Sequence, residues 1–156
     1  MALTHVLLFC HLLGAVCFFA GAAVVGTLQH AAIRRERPSE IHAFLRLAPV
    51  GAGLVGLGAL LTVVFGIALA EHEGFGFSPA WIRAALGLWV ASMAVGSYGG
   101  RTARRARRLA ARLAAEGDAP SPELRALLAA RFPLWASYAS GLMLVAILAL
   151  MVWQPT

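Results

Sequence analysis

Four long apolar runs, near 4–29, 47–70, 80–100 and 134–153, alternate with short polar stretches along the chain. Each has the ~20 apolar residues that an α-helix needs to cross a hydrocarbon core about 30 Å thick. The pattern predicts an all-α integral membrane protein, a four-helix bundle made of two helical hairpins within a single transmembrane domain, 1–156. The connecting loops are expected at 30–46, 71–79 and 101–133.

Between the spans the polar positions are patterned as well. Pro38-Ser39-Glu40-Ile41-His42-Ala43-Phe44-Leu45 resembles Pro120-Ser121-Pro122-Glu123-Leu124-Arg125-Ala126-Leu127-Leu128. Each stretch offers a serine suited to N-capping and an acid suited to a first turn, then an apolar-faced helical turn or two. Each runs toward a proline, Pro49 or Pro133, where a span begins and where a missing backbone donor bends the helix. Two short interfacial helices are expected, one per hairpin. The third span continues past its apolar end, because no breaker occurs before Gly117. In that extension Arg101, Arg104, Arg105, Arg108 and Arg112 recur at helical spacing on one side, a stripe suited to anionic lipid headgroups or to a partner. On the other side of the bilayer Ser78-Pro79 is expected to open the third span as cap and first helical residue. Trp81 and Trp153 fall where interfacial aromatics belong.

Charge fixes the expected orientation. All thirteen basic residues are arginine, and twelve of them lie within 34–46 and 101–131. Arginine-rich short loops stay on the cytoplasmic side, so the first and third loops face inward, while Glu71, His72, Glu73 and both termini face outward. The formal net charge of +6 is thereby a topology signal, not a nucleic-acid surface. The first apolar run lacks a preceding basic region and is longer than the core of a signal peptide, so it reads as an uncleaved span. Such a protein is expected in the bacterial cytoplasmic (inner) membrane. With 60% hydrophobic and 13% charged residues, the composition agrees.

Small residues indicate where helices meet. Gly14, Gly21 and Ala22 in the first run, Gly53, Gly56, Gly58 and Gly66 in the second, Gly96 in the third, and Ser140 with Gly141 in the fourth allow close backbone approach. They serve contacts inside the bundle or an interface in a homo-oligomer. Cys10 and Cys17, about 10 Å apart along one helix, cannot bond to each other and read as small packing residues.

Chemistry is sparse. Apart from Arg83 at the boundary, no Asp, Glu, Lys or Arg lies inside a span, whereas a proton- or sodium-coupled pump holds a titrating group at membrane depth. His11 is the exception among ionisable groups, about seven residues inside the first span. Neutral histidine is an axial ligand of haem b iron and a ligand of copper; a second ligand would be Met151 of the fourth span, a residue of a neighbouring subunit, or none. The other reading of His11 is a hydrogen bond to a backbone carbonyl, a tyrosine or a serine, with no cofactor. His5, Glu71, His72 and Glu73 supply metal-binding atoms but no metal-binding spacing. No catalytic signature is present, and enzyme activity is not expected. The partners expected are the lipid bilayer with its anionic headgroups, other membrane subunits or a second copy of the chain, with no nucleic acid.

The run His11-Leu12-Leu13-Gly14-Ala15 through Phe19-Ala20-Gly21, Trp81, the arginine-rich third loop and the closing Met151-Val152-Trp153-Gln154-Pro155 resemble a family of predicted bacterial integral membrane proteins of unknown function, over nearly the whole chain. That family commonly ends in Met, two apolar residues and Lys-Pro, and Gln154 stands in place of the lysine. More distantly, His11 followed by Ala20-Gly21 is similar to the first span of the copper-resistance D membrane domain and of the haem-dependent protoporphyrinogen oxidase of bacteria. That likeness implies a ligand position at His11. The oxidase carries a lysine shortly after a tryptophan in its third span, and the aligned position here is Ala85. The combined expectation is a small membrane or accessory subunit; the alternative is a haem b or copper binder serving electron transfer, tetrapyrrole metabolism or metal delivery, and a small-molecule transporter comes third.

Overall fold

The computed structural model describes residues 2–154, and their side chains except those of 131–134, 136 and 137. Among the described residues six helices account for the regular structure: α1 (Ala2–Ile33), α2 (Pro38–Leu45), α3 (Ala48–His72), α4 (Ala80–Ala115), α5 (Pro122–Leu128) and α6 (Arg131–Trp153). They form two compact units, Met1–Gly76 and Phe77–Thr156. Each unit has one plan, a long helix, a short helix and a second long helix, as the repeated loop pattern predicted.

In the first unit α1 packs along α3, and α2 folds back onto α1. At about 1.5 Å per residue α1 is ~48 Å long, more than a hydrocarbon core requires. Its last turns therefore have a surface to bury, and α2 supplies the cover. Pro38, Ile41 and Leu45 of α2 are buried together with Ala32 of α1. Alanine at the crossing lets the short helix come close. The link between the helices is held by Arg35, whose guanidinium lies 3.8 Å from Glu40 and over the ring of Phe44. The expected serine cap is not used here: Arg37 occupies the N-cap without a side-chain bond, Pro38 is the first helical residue, and Ser39 lies inside the helix. Proline at the first position needs no backbone donor, so the helix starts at Pro38 and the cap falls on Arg37, ahead of the serine.

In the second unit α4 packs along α6, and α5 covers α4. Leu124 and Leu128 of α5 are buried with Ala106 and Ala110 of α4, matching α2 against Ala32. Ser121 caps α5 as expected, its hydroxyl accepting from Leu124 N at 3.4 Å. The third long helix begins at Ala80 with Pro79 as its N-cap, one residue later than Ser78-Pro79 suggested. Arg83 reaches back to donate to the carbonyls of Phe77 and Ser78, which satisfies the loop that precedes the helix. That contact accounts for the arginine at the end of an apolar run.

Helix ends follow glycine. Gly74 after α3 and Gly117 after α4 have positive φ, 75° and 118°. Each lets the next N–H return to a carbonyl of the last turn, Phe75 to Ala70 at 2.9 Å and Asp118 to Leu113 at 3.0 Å. Pro49 stands in the first turn of α3; the bend expected at Pro133 involves a side chain outside those described. Among the described residues three helical stretches are long and apolar enough to cross a membrane: Ala2–Ile33, Pro38–His72 and Ala80–Ala115. The described apolar stretch of α6, Tyr138–Trp153, is shorter.

Candidate functional site

Glycine makes the α1/α3 interface. Gly14 and Gly21 on α1, and Gly51 and Gly58 on α3, are buried at seven-residue spacing. The helices are so close that a Cβ on Gly58 would lie 2.3 Å from Phe18 N and 2.6 Å from Gly14 O. A Cβ on Gly21 would lie 2.6 Å from Gly51 O and 2.7 Å from Val55 N. Backbone meets backbone here, which larger side chains prevent. His11, Gly14, Phe18 and Gly21 recur at alternating spacings of three and four, the seam along which two helices mesh at a shallow angle.

His11 sits on that seam and is buried, at 9% exposure. Its Nδ1 lies 2.7 Å from the carbonyl oxygen of Thr62 on α3. A carbonyl can only accept, so Nδ1 carries the proton, and in the neutral ring the lone pair is on Nε2. Gly66 makes the bond possible. A helical carbonyl points toward the residue four places on, and a Cβ on Gly66 would stand 2.9 Å from Nδ1 and 3.0 Å from Cε1. The absence of a side chain at 66 opens a notch in α3 through which the imidazole reaches the backbone. Thr62 completes the contact: its Oγ1, buried and without a hydrogen-bond partner among the described residues, would stand 2.8 Å from a Cβ on Gly14. Of the sequence alternatives for His11, a bond to a backbone carbonyl is the one observed. The sequence named Gly66 as a close-approach residue but gave no sign that Thr62 would be the acceptor.

The remaining candidates fall elsewhere. Met151 is half-buried on α6 of the second unit, so the first unit does not itself pair it with His11. Among the described residues no group of three His, Cys, Asp or Glu side chains could hold a metal ion. Glu73 instead accepts a hydrogen bond from Thr4 Oγ1 at 2.9 Å, joining the start of α1 to the end of α3. Cys10 and Cys17 are free and half-buried.

In the second unit Ala85 is buried on α4. A serine contact lies farther along, with Ser140 Oγ donating to the carbonyl of Ser92 at 3.4 Å and Ser92 itself buried. Arg101, Arg104, Arg105, Arg108 and Arg112 are all exposed. On a helix they fall within an arc of about 100°, roughly opposite buried Ala106 and Ala110, which face α5.

The family described as predicted integral membrane protein (DUF2269) matches residues 5–155. The chain belongs to that family. It is accordingly an integral membrane protein, and the apolar side chains on the outside of its hairpins, such as Phe9, Val16 and Leu60, suit a lipid-facing surface. No curated protein and no solved structure matches the chain.

Proposed function

We propose that this member of the DUF2269 family is a four-span protein of the bacterial inner membrane, with both termini outside, that works as a small helical subunit alongside larger membrane partners. The observation that carries this reading is the use made of His11. The imidazole is engaged with Thr62 in holding α1 to α3, alongside a glycine seam that brings the two backbones into contact. Side chain and small residues alike serve helix association, the property a packing subunit needs. Membrane orientation follows from the arginines of 34–46 and 101–131. In intact cells, a cysteine replacing Arg107 should resist an impermeant thiol reagent while tags at either terminus react; labelling at 107 would overturn the orientation.

One observation favours a second reading, a haem b or copper protein using His11. Metal-bound histidines usually donate their other ring N–H to a carbonyl or carboxylate, which fixes the tautomer and orients the ring. His11 has that arrangement toward Thr62. The group, if held, would supply one-electron chemistry or metal transfer, and this chain's contribution would be the oriented Nε2. Visible spectra of the detergent-purified protein, oxidised and dithionite-reduced, with metal analysis beside them, decide between the two readings. The subunit reading expects no reduced α-band and no bound copper. Either signal, lost in His11→Ala, would replace it with the cofactor reading.

A further inference from the structure

The arginine face of α4 divides into two parts. Beyond Gly100, where the apolar run ends, the Cα atoms of Arg101, Arg104 and Arg105 lie within about 8 Å along the axis, Arg108 at about 12 Å and Arg112 at about 18 Å. The headgroup layer is only ~5–8 Å thick on each side of a bilayer. Side chains on a helix lean toward its N-terminus, and α4 leaves the membrane with its C-terminus leading, so they lean back toward the lipid. Arg104 shows this lean: its Nη1 lies 3.7 Å from where a Cβ of Gly100 would be. Arg112 does the opposite. Its Nε is 3.7 Å from Glu116, one turn farther from the membrane.

The other side of this helix is occupied. Ala106 and Ala110 are buried with Leu124 and Leu128 of α5, which fixes the rotation of the extension and holds the arginines away from α5. We propose that Arg101, Arg104, Arg105 and Arg108 form a binding face for the phosphates of anionic lipid headgroups in the leaflet from which α4 emerges, and that Arg112 lies outside it. The guanidinium fork suits phosphate oxygens, and desolvation at the interface strengthens each contact. Continuity with the span selects lipid over a soluble acidic partner, because three of the four cations are at headgroup depth by position alone. The proposal rests on α4 crossing the bilayer and holds for either orientation of the chain. Failure of the inside–outside assignment therefore leaves it standing.

The test is native mass spectrometry of the full-length protein in detergent with equimolar phosphatidylglycerol and phosphatidylcholine. Wild type should retain phosphatidylglycerol preferentially. Arg108→Gln should weaken that preference about fivefold, and Arg104→Gln/Arg105→Gln/Arg108→Gln should remove it, on the scale of one surface-held cation per step. Arg112→Gln should match wild type. Equal retention of the two lipids by wild type would overturn the proposal. An Arg112→Gln loss as large as that of Arg108→Gln would also overturn it, pointing to a water-exposed face for a soluble acidic partner.

Discussion

Gly58→Ala tests the architecture of the first hairpin most directly. The added Cβ would meet Phe18 N at 2.3 Å, Gly14 O at 2.6 Å and Phe18 Cα at 2.7 Å. All three are backbone atoms, so no rotamer change relieves the clash. Ordinary contacts start near 3.4 Å, which requires α1 and α3 to separate by about 1 Å, and a gap of that size forfeits roughly a quarter to a half of the dispersion energy of the atoms lining it. Overpacking of this kind costs about 1–3 kcal/mol. Stretching the 2.7 Å contact between His11 and Thr62 adds the loss of an interhelical hydrogen bond, about 0.6 kcal/mol in a membrane. Gly56→Ala is the control, since nothing lies within 4 Å of its Cβ position; there alanine gains up to about 1 kcal/mol of helix propensity. The propensity gain is common to both variants and cancels, so they should differ by roughly 2–3 kcal/mol in hairpin stability, about thirty- to a hundredfold in the equilibrium. Energy transfer between dyes on cysteines introduced at Ala2 and Glu73, in a Cys10→Ala/Cys17→Ala background titrated with dodecyl sulfate, reports separation of the helices. Equal midpoints for Gly58→Ala and Gly56→Ala would refute the backbone-contact reasoning.

Two further outcomes follow from the same contacts. Gly66→Ala crowds the His11 ring at 2.9 and 3.0 Å and should cost about 1 kcal/mol through the displaced hydrogen bond; in a His11→Ala background the same change should cost almost nothing, and a double-mutant cycle on the titration midpoint measures the difference. Leu124→Ala removes the 1%-exposed anchor of α5 and should release that helix by about 2–3 kcal/mol, read as faster trypsin cleavage at Arg125 with the energy-transfer midpoint of the first hairpin unchanged.

Much of the fold is legible in the pattern of the chain because its signals are local. An apolar run of span length, a proline opening a short helix, and a glycine after a last turn act through their own backbone or the nearest few residues. The two short helices followed from the stretches 38–45 and 120–128 in this way, although Arg37 rather than a serine took the first cap. The choice of contact face did not follow. Gly53, Gly56 and Gly141 have nothing within 4 Å of their Cβ positions, and Ala22 is exposed, although all four are as small as the residues that pack. Gly51, at the centre of the closest approach to Gly21, gave no distinguishing signal. In water an apolar stripe marks the buried side of a helix; in lipid both sides are apolar, so hydrophobicity no longer separates protein-facing from lipid-facing positions.

His11 shows the same division. That a buried imidazole in an apolar span needs a partner is a matter of solvation, and the sequence alone requires it. Which partner it finds depends on α1 and α3 running side by side at glycine distance, in the register that sets the notch at Gly66 over the carbonyl of Thr62. Hydropathy and charge are sums over residues and survive without a fold, and they determined the membrane class and the arginine-bearing loops. The seam, the histidine's acceptor and the division of the arginine face depend on helix rotation and register. Those are set by backbone contacts between residues distant in sequence, which only the tertiary structure brings together.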